Sequence, residues 1–378
     1  MKILFVQHID GMSGSELYLL QLLPALKQKG IEVEMLMAFK KDSGRNASFA
    51  EQLTAKGIVC HQLYGNGPFS ARLLFRIKKL VKKGGYDIVQ SNLIHADLWM
   101  AAVKFFFCRK MKLVSVKHGF NEAYAAKYGF NTKKVNRVST VWAQRVSGIM
   151  VNRNVAISRG IYELYVKGRI SKASKIEVVY YGMNLEYIQS SGFIKNDTNR
   201  YAIILGRLVK YKGHEYIIKA WQKVKSYDPS LMLYIVGGGD YKNKLEQLTG
   251  ELGLQEQVIF CGHQPNPHQI LHFAEFSVVS SIFEGFGLIT LESWYHKRPV
   301  VAFDVPALNE VVDDGQNGLL VTLYDTDALA ASIIRLFNDK TTTLKMGEDG
   351  YNKLMKEYSL ERMTRQMVEI YSSVIQKK

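Results

Sequence analysis

A chain of 378 residues is long enough for two or three domains of ordinary size, each with its own core. Hydrophobic residues make up 47 % of it and charged residues 22 %, the usage of folded soluble proteins, which excludes a disordered, collagen-like or low-complexity chain. The net charge of +16 is unevenly placed: residues 1–180 hold 29 Lys and Arg against 11 Asp and Glu, while residues 181–378 hold 21 against 23. An anionic partner is therefore expected for one half only, whether nucleic acid, an acidic membrane surface or a phosphorylated lipid acceptor.

The chain starts with "MKILFVQHIDG", whose short apolar run suits a buried first strand over Ile3–Ile9 better than a secretory segment, so a cytoplasmic protein is expected. The strand runs into "HIDGMSGSE", where Gly11 and Gly14 flank a tight turn into the helix "SELYLLQLLPALKQKG", with Ser15 as the N-cap and Gly30 as the stop. That turn is either a plain connection or a place where backbone N–H groups face an anion. It lacks the spacing of the dinucleotide fingerprint, and no phosphate-loop GxxxxGK[ST] occurs anywhere. Further strands are expected over Val33–Phe39, Val59–Tyr64, Tyr86–Ser91 and Leu113–Val116. Among the helices between them, "FSARLLFRIKKLVKK" places Phe69, Leu73, Ile77, Leu80 and Val81 near one face and Arg72, Arg76, Lys79 and Lys83 near the other. It reads as a surface helix packed on a sheet, with membrane contact as the alternative. The longest apolar run, Trp99 to Cys108, contains Lys104 and is too short to span a bilayer. Cys60, Cys108 and Cys261 are widely separated and suggest neither a disulfide framework nor a metal site. After the strand at Leu113–Val116 comes "KHGFN", which puts His118 at a strand end, as a structural histidine or a ligand contact.

The polar stretch "SGFIKNDTNR", Ser191 to Arg200, is the best linker, because the strand–helix alternation restarts at "YAIILGRL" and continues through "LMLYIVGGG", "VIFCGH", "FSVVSS", "PVVAF" and "GLLV". Two doubly wound parallel α/β domains follow, and their facing strand ends would make a cleft the natural site. In the second, "GRLVKYKGHEYI" sets Arg207 and Lys212 five apart before a helix starting near His214. They are either an anion pocket or two solvated loop cations. "SIFEGFGLITLESW" places Glu284 in a loop and Glu292 about one and a half turns into a helix that begins near Gly287. The free N–H groups of Gly287 and Leu288 could then meet a diphosphate, with the two carboxylates accepting hydrogen bonds at two depths of one pocket. The structural alternative is that Glu284 caps the helix and Glu292 pairs with a lysine.

The spacing of Glu284 and Glu292 within "EGFGLITLE", with "GRLVKYKG" before it and "PVVAFDVPALNEVVDDGQNGLLV" after it, resembles glycosyltransferase family 4, the large retaining family of the GT-B fold. "HIDGMSGSELYLLQLLPALKQKGIEV", "NVAISRGIYELYV" and "VVYYGMN" resemble its other segments, so the likeness covers almost the whole chain. It implies two Rossmann-like domains facing across a cleft: residues 1–190 for the acceptor, residues 191–357 for the nucleotide-sugar donor, and a terminal helix over 358–378 crossing back to the first domain. It further implies a UDP- or GDP-linked donor, no metal and no cofactor. Arg207 and Lys212 would neutralise the diphosphate, Glu292 would accept from the ribose, and the amides of Phe286, Gly287 and Leu288 would touch sugar and phosphate. Glu284 would contact the transferred sugar, His118 would hydrogen-bond it from the other domain, and Gly14 would let the first loop approach the phosphate.

Three positions depart from the family pattern: Ser13 stands where a first glycine is common, and Tyr181 and Asn184 stand where Asn and Asp are common. The expected function is transfer of a sugar to a glycan or polyprenyl-diphosphate-linked acceptor in cell-surface polysaccharide synthesis. The basic first half would allow peripheral contact with the inner face of the membrane. The rivals are a nucleotide-sugar epimerase or a glycan phosphorylase on the same architecture. A non-enzymatic binder of nucleic acid or anionic lipid would leave the paired carboxylates unexplained.

Overall fold

A computed structural model describes residues 1–9, 13–39, 47–64, 70–120, 122–137, 139–185 and 199–376. Gly11 and the linker candidate up to residue 198 lie outside the described residues. The chain divides into two compact units, one of Met1–Phe120, Asn131–Met183 and Ser359–Lys378, the other of Asn121–Phe130 and Asn184–Tyr358.

The first unit is built on β1 (Lys2–His8), α1 (Gly14–Gln28), β2 (Glu32–Phe39), α2 (Ala47–Ala55), β3 (Val59–Tyr64), α3 (Ala71–Gly84), β4 (Ile88–Asn92), α4 (Leu93–Phe106) and β5 (Lys112–Lys117). After α5 (Glu122–Tyr128), which belongs to the second unit, come α6 (Ser139–Met150), β6 (Arg153–Ala156), α7 (Arg159–Lys167) and β7 (Ile176–Val178). The strands form one parallel sheet in the order β3-β2-β1-β4-β5-β6-β7. Ile3, Leu4, Phe5 and Val6 of β1 are all fully buried, because helices cover both faces and leave no solvated side to demand a polar alternation. Strands β6 and β7 were not expected, since runs of four and three residues containing Asn154 and Glu177 carry no readable period.

The second unit contains β8 (Tyr201–Leu205), α8 (His214–Tyr227), β9 (Met232–Val236), α9 (Lys242–Glu251), β10 (Val258–Gly262), α10 (His268–Phe273), β11 (Phe276–Val279), α11 (Leu288–Tyr295), β12 (Val300–Phe303), α12 (Leu308–Val311), β13 (Gly318–Val321), α13 (Thr326–Asn338) and α14 (Lys340–Glu357). Its parallel sheet has the order β10-β9-β8-β11-β12-β13. Its core holds Ile203, Leu233, Phe276 and Val301 from the sheet and Trp221, Leu329 and Ile333 from the helices. The last helix, α15 (Leu360–Gln376), returns to the first unit. It packs on α1, and its Tyr371 hydroxyl donates to Gln90 Oε1 of β4 at 2.5 Å.

Residues 121–130 correct the sequence reading, which counted them with the amino-terminal half. They belong to the second unit because Phe130 stacks on Phe283 at 4.2 Å and Glu122 pairs with Arg207. Among the described residues, no helix is long and apolar enough to cross a membrane.

In each sheet the chain order reverses once, between β1 and β4 in the first unit and between β8 and β11 in the second. Loops leaving the carboxyl ends of two such strands splay to opposite faces and open a crevice, where ligands of doubly wound sheets bind.

Candidate functional site

In the second unit both residue groups singled out from the sequence leave strands at that reversal. The loop after β8 carries Arg207 and Lys212, and the loop after β11 carries Glu284 and leads into α11. Gly213 turns the first loop into α8 with φ 68°, and a Cβ on it would meet the Ser280 carbonyl oxygen. This close approach, sealed by Ser280 Oγ donating to Gly213 O at 3.0 Å, locks the two loops together.

The lock brings Lys212 Nζ to 2.6 Å from Glu284 Oε1, which also accepts from Ser281 Oγ at 2.7 Å. Glu284 is only 7 % exposed, so these partners compensate a carboxylate that has lost its water. Glu284 does not cap α11: the N-cap is Gly287, in the left-handed region at φ 87°, with no side-chain bond to the helix. A Cβ at Gly287 would lie 2.6 Å from Leu308 Cδ2. The side chain of Phe286 is buried and packs edge-on against Tyr358, so only its backbone is offered at the helix start. Lys212, Glu284, His214 and Ser281 line a small depression together with Ile204, Val278 and Ile289.

One turn into α11, burial pushes the Glu292 carboxyl up to about 7, against the opposing pull of the Lys212 ammonium. A single ammonium thus lies in the field of both carboxylates. The capping alternative for Glu284 falls away, and the pairing with lysine belongs to Glu284 rather than to Glu292. Arg207 is not a bare loop cation either. Its Nη2 donates to Glu122 Oε1 and, at 2.7 Å, to the Tyr211 hydroxyl. Burial works against the Arg207 charge, but Tyr211 and Glu122 outweigh it and hold its pKa above the ordinary value.

Three residues here escaped the sequence reading. Glu122 and Tyr211 orient Arg207, and His214 is 1 % exposed with neither ring nitrogen bonded. Burial, with Lys212 nearby, drives the His214 pKa down to about 3, so the ring is neutral. Only the "KYKGH" run hinted at them; Glu122 is 85 residues from Arg207.

In the first unit, His118 follows β5 with both ring nitrogens engaged, Nδ1 with the Tyr181 hydroxyl and Nε2 with Asn92 Oδ1 at 3.2 Å. Burial and then Lys117 lower its pKa to about 3, so it is a neutral ring of fixed orientation. Tyr181, one of the departures from the family pattern, is therefore the residue that aims His118. The neighbouring Asp97 is satisfied internally, by Ser91, Ser115 and Lys117 Nζ at 2.6 Å. Gly14 opens α1, but the helix N-terminus is already served by Glu16, which accepts from Ser13 N at 3.0 Å and from Gln7 Nε2. The chain's own carboxylate thus lies where the glycine turn was expected to offer N–H groups to an anion. Among the described residues, no group of three or more His, Cys, Asp or Glu is placed to hold a metal ion.

Two parallel sheets with this winding, and this pair of loops at the reversal of the second, define the GT-B architecture. Residues 12–187 match the family model described as Glycosyltransferase Family 4, and residues 188–353 match the model described as Glycosyl transferases group 1. The chain belongs to the glycosyltransferases of that type. It is 32 % identical over 162 residues to the putative glycosyltransferase EpsD of Bacillus subtilis (strain 168), which is 43 % of this chain and 42 % of that protein. To the lipopolysaccharide core biosynthesis glycosyltransferase LpsD of Rhizobium meliloti (strain 1021) it is 22 % identical over the full length of both. The chain spans about half the length of the first curated relatives it matches, 42 % and 48 %. The crystal structure of HepE from Anabaena in complex with UDP-glucose superposes with a TM-score of 0.82 at 21 % identity, covering 99 % of this chain and all of that one.

Proposed function

We propose that the protein moves a sugar from a nucleoside-diphosphate sugar, UDP- or GDP-linked, to a glycan or polyprenyl-diphosphate-linked acceptor, on the cytoplasmic side of a cell that builds a surface polysaccharide. The observation that carries the proposal is Lys212 paired with Glu284, and felt electrostatically by Glu292, at the reversal of the second sheet beside the start of α11. A nucleoside-diphosphate sugar has a hydroxyl-rich ring at each end and two negative charges between. Glu284 and Glu292 supply acceptors for the rings, and Lys212, Arg207 and the amides of Phe286, Gly287 and Leu288 supply positive potential for the diphosphate. The diphosphate takes the place of Glu122 at Arg207, exchanging one anion for another at little cost.

As the anomeric carbon separates from the donor, charge builds on the departing phosphate oxygen, and cations fixed beforehand stabilise it without reorganising. That oxygen lies on the face from which the acceptor enters and helps remove the acceptor proton, so configuration is retained. No metal is required in this scheme. His118 is assigned a hydrogen bond to the transferred sugar and Gly14 a backbone contact to the phosphate, both on family resemblance alone.

Thermal shift with UDP, GDP and ADP in chelator, followed by NMR of the product's anomeric proton, tests the reading. Stabilisation by one nucleotide and a product with the donor's configuration are expected. Stabilisation by none of the three contradicts it, and free sugar released from donor alone points to an epimerase.

A further inference from the structure

We propose that α3, α4 and α6 of the first unit form a docking face for an anionic phospholipid bilayer, with Trp142 entering the headgroup region. The inference is independent of the proposed chemistry. Helix α6 buries Val141, Gln144 and Ser147 and presents Trp142, Val146 and Ile149 to solvent, four and seven residues apart along one stripe. Trp142 is 72 % exposed and Ile149 66 %, whereas Trp99, Trp221 and Trp294 are all buried.

The stripe continues across the neighbouring helices. Lys104 Nζ donates to Asn152 Oδ1, which sets the end of α4 beside the end of α6. There Phe105 and Phe106 are exposed, and an aromatic chain runs from Phe106 through Phe107 to Phe75 of α3 at 6.1 and 5.9 Å. Soluble proteins seldom leave so many large apolar groups together in water.

Charge decides the occupant. Residues 71–112 hold ten Lys and Arg and only two acids, Asp87 and Asp97. Asp87 accepts from the backbone of Lys2, and Asp97 is buried against Lys117. Arg72, Arg76, Arg109 and Lys110 are exposed around the aromatic residues, and α6 carries no acid at all. A second copy of this chain would press like charges together. A nucleic acid would gain nothing from Val146 and Ile149. Anionic headgroups over acyl chains satisfy both components at once, as at other membrane-surface helices that mix aromatic residues with Lys and Arg.

The test is sedimentation of the full chain with vesicles of phosphatidylcholine alone and of phosphatidylcholine with equal phosphatidylglycerol. Trp142 fluorescence is read in vesicles carrying brominated acyl chains. The proposal expects binding only to the anionic vesicles, a loss of that binding in high salt, and bromine quenching that disappears in Trp142→Phe. Ile149→Ser with Phe106→Ser should lower the bound fraction at least fivefold, with an unchanged circular dichroism spectrum and an unchanged nucleotide thermal shift. Equal partition to neutral vesicles overturns the proposal. So does binding without Trp142 quenching, or a vesicle-free, concentration-dependent dimer that shields Trp142 from acrylamide.

Discussion

Glu292→Gln should make the protein more stable and less functional, and the stability gain should depend on pH. Burial carries the Glu292 carboxyl from its ordinary 4.5 to about 7 in the folded protein. The unfolded chain therefore ionises this group first, and above both values the folded state bears the cost of a desolvated charge. A displacement of that size corresponds to roughly 3 kcal/mol at pH 8, near zero below pH 4.5, with the cost growing through the interval between. Gln is neutral at every pH and nearly isosteric, so the mutant should gain up to about 3 kcal/mol at pH 8, or roughly 6–12 °C in Tm for a unit of this size. At pH 4.5 its gain should vanish. The same substitution exchanges a charged acceptor for a neutral one at the proposed ribose contact, which should weaken nucleotide binding by roughly 1–2 kcal/mol, about 5- to 30-fold. Differential scanning calorimetry at pH 4.5, 6 and 8 reads the first effect and isothermal titration calorimetry the second. A mutant no more stable than wild type at pH 8, or equally stabilised at pH 4.5, would refute the placement of Glu292 as a desolvated carboxylate.

Lys212→Met should abolish measurable nucleotide binding and destabilise the fold by about 1–3 kcal/mol, because Glu284 is left with Ser281 as its remaining side-chain partner. Adding Glu284→Gln should restore most of that stability but no binding, a double-mutant cycle readable by urea unfolding. Glu122→Ala should act in the opposite direction from Arg207→Ala: it frees Arg207 from an exposed pair worth about 0.2–1 kcal/mol, so nucleotide affinity should rise up to fivefold, whereas the arginine mutant loses it. Gly287→Ala places a Cβ 2.6 Å from Leu308 Cδ2 at a φ of 87°, which should cost about 1–3 kcal/mol by thermal unfolding. Tyr181→Phe should release His118 Nδ1 and loosen the ring's orientation, observable as a changed His118 ring resonance by NMR, while burial keeps the ring neutral.

Much of the fold could be read from short apolar runs, because strands covered on both faces are nearly all hydrophobic. β3 falls over Val59–Tyr64 as expected, β1 shifts by a single residue, and β2 starts one residue earlier and ends at Phe39 as expected. The helix starts at His214 and Leu288 were legible for a different reason: Gly213 and Gly287 adopt left-handed backbone that few other residues tolerate. The weak points were the three- and four-residue strands β6 and β7, and above all residues 121–130. No local pattern says that a segment leaving the first sheet will pack with the second. The side chains of the site divide in the same way. Those within one motif, Glu284, Gly287 and Glu292, announced themselves by spacing. The partners that orient Arg207 and His118, namely Glu122 and Tyr181, come from 85 and 63 residues away and are visible only in the folded chain.

The central claim is that Lys212, Glu284 and Glu292 form the seat of a nucleoside-diphosphate sugar, and calorimetric titration of UDP and GDP into the full-length protein in chelator tests it most directly. The account predicts micromolar binding of one of the two nucleotides, weakened at least fivefold by Glu292→Gln and lost in Lys212→Met. Wild-type affinity in both mutants, or no binding of either nucleotide to the folded wild-type chain, would contradict it.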